Sequence, residues 1–179
     1  MDRDINGDGI PDTAFVGGTE DERRLVVLVG YKDELEWGHE VAQAGKLPTY
    51  PLGPAQLSVK KNVLVVEDLT GGTTATNAIY RYRWDARLKR LQLIGLDAER
   101  YSRTNTHDAF KISWNLLTGA HDTVRGILDK APKGGDDAAY RYTKPSRTQH
   151  KTRPVYIEDT PDADALIDAE VVPPGEDRD

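Results

Sequence analysis

Residues 77–96, NAIYRYRWDARLKRLQLIGL, decide the fold class. Alternation puts Ala78, Tyr80, Tyr82 and Trp84 on one face of an extended segment and Ile79, Arg81 and Arg83 on the other, the period of a strand. A second apolar run, Leu88–Leu96, follows the turn-forming triplet Asp85-Ala86-Arg87, so the pair predicts an antiparallel hairpin. Gly95 interrupts the second run, which predicts a bulge there and a continuation through Glu99–Arg103.

The same pattern extends outward. Phe110, Ile112, Trp114 and Leu116 alternate with Lys111, Ser113 and Asn115; Thr118-Gly119 turns the chain, and Thr123–Leu128 returns. Upstream, Leu57–Val59 and Asn62–Glu67 read as strands broken at Lys60-Lys61. Arg24–Tyr31 is a continuous aliphatic run, expected as a strand buried on both faces. Thr13–Val16 is a short strand candidate, Glu36–Gln43 is ambiguous, and the proline-rich Leu47–Pro54 must be a loop. Strands at this spacing predict an all-β domain built as an antiparallel meander rather than from βαβ units. Downstream, Pro132–Asp137 reads as a linker, Tyr140–Tyr142 as an edge strand, and Pro154–Ile157 as a segment that docks on the sheet. From Glu158 the chain is acidic and proline-bearing, so residues 1–157 are expected as the folded domain and 158–179 as a disordered acidic tail.

Composition narrows the function classes. With 30% charged residues, 37% hydrophobic residues and a mean hydropathy of −0.63, the chain carries no apolar run of spanning length. The net charge of −6 argues against a nucleic-acid partner and modestly favours a basic one. The absence of cysteine excludes disulfides and thiolate zinc sites. Met1 runs directly into Asp2-Arg3-Asp4 with no apolar segment behind a basic start. Two readings follow, a cytosolic protein or a domain trimmed from a longer exported precursor. The metal loop at the fourth residue favours the second.

That loop is Asp4-Ile5-Asn6-Gly7-Asp8-Gly9-Ile10-Pro11-Asp12. Oxygen-bearing side chains fall at Asp4, Asn6, Asp8 and Asp12, Gly9 sits at the bend, and the Ile10 carbonyl can turn inward. A hard cation that takes six to eight oxygens requires such a layout, so Ca2+ is the expected ligand. It departs from an EF-hand, since Phe15 stands where a bidentate glutamate would be and a strand follows rather than a helix. The competing reading is an acidic turn of Asp, Asn and Gly that binds nothing.

Leu69–Thr76, LTGGTTAT, joins two strands and lacks the Gly-Lys-Ser/Thr of a phosphate cradle. It is either a flexible hairpin loop or a protruding finger of small residues. A Tyr-Tyr-Trp row is more often core than site, yet tyrosine also makes low-entropy interface contacts. The polar segment Ser102–Asp108 ends in His107-Asp108 and is expected to return near the glycine-rich loop, placing His107 and the Tyr80/Tyr82 strand at one edge.

With these residues the chain resembles the calcium-binding periplasmic immunity lipoproteins that protect bacteria from peptidoglycan hydrolases delivered by an interbacterial type IV secretion system. It is similar, more distantly, to periplasmic I-type lysozyme inhibitors. The likeness covers roughly Asp2 to Leu128 and rests on the Asp-Asn-Asp loop, GGTTATNAIYRYRW, LQLIGLDAERYSRTNTHDAF and SWNLLTG. It implies that the antiparallel meander forms a β-sandwich or blade-like sheet, and that the protein is a non-enzymatic inhibitor whose loops at one end plug the active-site cleft of a lysozyme-like effector. Tyr82 and His107 would meet the catalytic carboxylate, Tyr80 would lie beside them, and Gly71 and Gly72 would shape the loop. It also implies a periplasmic location with a lipid anchor, which is absent from this chain. Two other classes remain open. An enzyme would need one of the dyads His107-Asp108 or His121-Asp122, without an HExxH or GxSxG motif in support. A calcium-stabilised wall or carbohydrate-binding module would use Trp37, Trp84 and Trp114. A structural calcium domain of an adhesin is the plainest option.

Overall fold

The computed structural model describes residues 1–19, 21–129 and 140–171. The Pro132–Asp137 linker and residues 172–179 of the expected tail lie outside them. Two antiparallel sheets form. The first is a meander of β1 (Asp2–Arg3), β2 (Asp12–Gly18), β3 (Arg23–Lys32) and β4 (Trp37–Leu47). The second runs in chain order through β5 (Gln56–Lys60), β6 (Val63–Gly71), β7 (Thr74–Asp85), β8 (Arg90–Ser102), β9 (Ala109–Asn115), β10 (Ala120–Leu128) and β11 (Tyr140–Tyr142). β12 (Ser146–Gln149) also pairs with β10, and β13 (Val155–Tyr156) pairs with β8. The sheets do not close into a barrel, and the architecture is that of an all-β sandwich.

Turn chemistry sets the register. Lys61 and Asn62 have φ of 51° and 59°, the left-handed pair of a two-residue hairpin loop, so the expected break at Lys60-Lys61 falls one residue later. Arg81 pairs with Gly95 but Tyr82 with Leu93, which leaves Ile94 as the extra residue of the bulge expected here. The expected edge strand at Tyr140–Tyr142 and the docking of Pro154–Ile157 both form. The ambiguous Glu36–Gln43 segment enters β4 from Trp37 onward, an edge strand long enough to pair with all of β3.

The core fills the space between the sheets. Ala14, Leu25, Val27 and Leu47 from the first sheet meet Leu64, Val66, Tyr80, Tyr82, Leu91, Leu93 and Leu96 from the second. Strand β3 is buried on one face only. Leu25 and Val27 are inside, whereas Val26 and Leu28 are half-buried, because among the described residues no second layer covers the outer face of the smaller sheet.

Two expectations are corrected. Tyr80 and Tyr82 are 0% and 1% exposed, so the tyrosine row is core and not a partner-binding surface. The phenol of Tyr82 is matched internally by Thr160 Oγ1 at 2.9 Å. The segment from Glu158 is not a disordered tail as far as Val171. A 3₁₀ turn (Ile157–Asp159) leads into helix α1 (Ala163–Val171), capped by the Asp162 carboxylate, which accepts from Ala165 N at 2.9 Å. Ile157, Ala163 and Ile167 are fully buried, so the folded unit extends past residue 157. The acidic residues that suggested disorder find partners: Glu158 with Arg90, Asp164 with Thr76, and Asp168 with Arg100.

Candidate functional site

The N-terminal loop is wound by its own side chains. Asp4 accepts from Gly7 N at 2.6 Å and Gly9 N at 3.0 Å, Asn6 Oδ1 from Asp8 N at 2.9 Å, and Asp8 Oδ1 from Ile10 N at 2.7 Å. Gly7 and Gly9 have φ of 86° and 84°, so a side chain at either would be strained. Each of these oxygens keeps a second lone pair, and none of the residues is buried, so Asp4, Asn6, Asp8 and the Ile10 carbonyl fit a hard cation. Asp4, Asp8 and Asp12 do not converge as one cluster of three carboxylates, since their oxygens do not all lie within 4.8 Å of one another. Asp12, expected as a further ligand, has another task. It is fully buried and accepts from Ile5 N at 2.7 Å, Asn6 N at 3.1 Å and Gly30 N at 2.9 Å, tying the loop to β3.

At the far end of β7, two loops clasp each other as the spacing suggested. The β6–β7 loop turns at Gly71, where φ is 99° and a Cβ would lie 2.3 Å from the Thr74 carbonyl oxygen, so only glycine fits. Gly72 meets nothing at that position and stands at the open tip. The Ser102–Asp108 loop answers it. Arg103 N donates to Thr73 O at 2.8 Å, and His107 Nε2 lies 2.8 Å from Thr74 Oγ1. His107 Nδ1 lies 2.7 Å from the Asp108 carbonyl, which only accepts, so Nδ1 carries the proton and Nε2 accepts the Thr74 hydroxyl. Beneath, buried Ser102 Oγ accepts from Thr106 N at 2.9 Å, and the Tyr140 hydroxyl bridges Ser102 and His107.

The two loops meet where the spacing placed them, but neither Tyr82 nor His107 presents a free donor there. Both His107 nitrogens are used within the clasp, and Tyr82 is in the core. The exposed cation between the loops is Arg103, whose guanidinium reaches only the Gly72 carbonyl at 3.4 Å and has no carboxylate partner among the described residues. Its place in a run of polar residues gave no sign of this. Nor do the two dyads form. The Asp108 carboxylate is held below its ordinary pKa by Leu128 N–H and the Arg125 guanidinium. Asp122 is held below its own by Arg147.

Comparison with protein-family models, curated proteins and solved structures finds no match for this chain.

Proposed function

We propose that this protein is a calcium-binding periplasmic inhibitor, an immunity protein without catalytic activity of its own, that blocks the cleft of a lysozyme-like peptidoglycan hydrolase with the clasped loops around Gly72. The observation that carries this reading is Arg103, an exposed guanidinium with no carboxylate partner among the described residues, at the tip of a rigidly braced projection of small residues. A glycosidase cleft carries two carboxyl groups, and a guanidinium forms the bidentate pair that best matches a carboxylate. His107 acts by holding Thr74 against the second loop, and Gly71 and Gly72 keep the finger narrow. Calcium at Asp4, Asn6, Asp8 and the Ile10 carbonyl would fix the chain entry, a structural role suited to calcium-rich surroundings outside the cytoplasm. The test is a cell-wall lysis assay with secreted hydrolases of the same organism. Inhibition by the wild type that is lost in Arg103→Glu supports the reading, and a wild type that inhibits none of them refutes it.

One observation favours a wall-binding module instead. Trp37 is 65% exposed on an edge strand, with Lys32 Nζ 4.4 Å from its ring centroid, a face on which a sugar could stack. Trp84 and Trp114 are packed against the core and do not extend it. Sedimentation with purified peptidoglycan, lost in Trp37→Ala, would select this alternative.

A further inference from the structure

Three side chains with no part in the loop or the clasp meet where the C-terminal helix crosses the second sheet. His121 of β10, His150 just beyond β12 and Glu170 in the last turn of α1 each bring one ligand atom within 4.8 Å of the others. No other set of three His, Asp or Glu residues among the described ones does so. The ring of His121 is fixed. Its side chain is 6% exposed, and its Nδ1 has no hydrogen-bond partner among the described residues. That nitrogen points toward Glu170, whose Oε1 lies 3.9 Å away, beyond hydrogen-bond range. A buried imidazole nitrogen left unmatched is costly, so such an atom calls for a partner.

The neighbouring groups present lone pairs rather than protons. The Thr148 hydroxyl donates to the His121 carbonyl at 3.4 Å, so its oxygen is free to accept from His150 Nε2, 3.0 Å away. In the neutral tautomer in which Nε2 donates to Thr148, His150 Nδ1 offers its lone pair. Trp114 stands edge-on to His121 at 6.0 Å, and the two imidazoles are 5.0 Å apart, so one side of the group is walled by aromatic rings.

We propose that His121, His150 and Glu170 bind one divalent first-row transition ion, zinc foremost, which staples the C-terminal helix to β10. Two imidazoles and a carboxylate are a known zinc donor set, with the fourth position left to water. Bonds of about 2.0–2.1 Å place tetrahedral ligand atoms roughly 3.3 Å apart. His150 and Glu170 are both exposed, and they close the remaining distance by rotation while His121 stays in place. Imidazole favours zinc over calcium, so the site is chemically separate from the all-oxygen loop at the N-terminus.

The experiment is a zinc titration by calorimetry of the untagged full chain, treated with chelator and then supplied with excess calcium. The expected result is one zinc per chain and a zinc-dependent rise in Tm. His150→Ala and Glu170→Gln, both at exposed positions that leave the core intact, should each weaken zinc binding by more than the roughly 10–100-fold typical of altering a ligand's supporting partner. Asp4→Asn should leave it unchanged. In the cobalt-substituted protein, the visible ligand-field absorption should disappear in both exposed-site variants. No zinc heat in the wild type, or zinc binding of equal affinity in His150→Ala and Glu170→Gln, would overturn the assignment.

Discussion

Arg23 and Asp68 form a bidentate ion pair across the sandwich, with Arg23 Nη2 2.8 Å from Asp68 Oδ1 and Nη1 3.0 Å from Oδ2. The side chains are 6% and 1% exposed, and Nη1 also donates to the Pro48 carbonyl at 2.7 Å. The pair joins β3 of the small sheet to β6 of the large one and leaves few polar atoms unmatched. Removing one partner strands the other charge in the core. Asp68→Ala should therefore cost about 3–5 kcal/mol in urea unfolding. Replacing both by apolar residues of similar volume should recover most of the loss. A cost below about 1 kcal/mol, as for an exposed pair, would show that the two sheets do not depend on it.

The helix at the C-terminus makes a second prediction. Ile167 is fully buried and packs with Ile157 and Ala163 in the one core. Ile167→Ala should destabilise the whole domain by about 2–5 kcal/mol, with a single cooperative transition. If its effect on the Tm is negligible and amide exchange of Leu166 and Ile167 is fast, the helix does not contribute to the fold.

For the N-terminal loop, calcium should stabilise through mass action. With a dissociation constant of ~10⁻⁴–10⁻³ M, ~10 mM calcium would add about 1.4–2.7 kcal/mol, measured as a Tm rise reversed by chelator. Asp8→Ala should abolish that rise while leaving the calcium-free Tm nearly unchanged. Asp12→Ala should lower the Tm even without calcium, because it frees three backbone amides, Ile5 and Gly30 among them. Equal effects of the two substitutions would mean that the loop residues share one role.

At the clasp, Arg103→Glu should abolish inhibition of a target hydrolase without a change in Tm, whereas Arg103→Lys should retain part of it. His107→Ala should weaken inhibition less, since it acts through Thr74. Full inhibition by Arg103→Glu would move the contact surface elsewhere.

The pH dependence follows from Asp108. Its carboxyl sits below its ordinary pKa of 3.8, through the Leu128 amide first and Arg125 second. In the unfolded chain the group binds its proton at higher pH than in the fold. Its contribution is therefore complete above about 3.8 and declines as pH falls through the lower folded value. Asp108→Asn should flatten the acid limb of the stability curve below pH ~4. A carbon-detected titration of Asp108 with its midpoint at or above 3.8 would contradict this.

Features governed by neighbours in the chain were legible in advance. Period-two patterning from Asn77 to Leu96 and Phe110 to Leu116 marks strands because successive side chains must point to opposite faces. Gly119 marks a turn because few residues accept positive φ, which is 81° there. The N-terminal loop was legible as a set of oxygens in register, and the Thr74–His107 clasp as two loops leaving the same end of a hairpin. Tertiary structure alone decided which face of each strand is covered. Alternation grouped Tyr80 with Tyr82 but could not say that Ile157, Ala163 and Ile167 would seal that face. The acids of residues 158–168 suggested disorder because their partners, Arg90, Thr76 and Arg100, lie far away in the chain. The Arg23–Asp68 pair, the Arg103 guanidinium without a carboxylate partner among the described residues, and the meeting of His121, His150 and Glu170 belong to the same class. Each depends on bringing remote segments together, and local patterning carries no information about which segments those are.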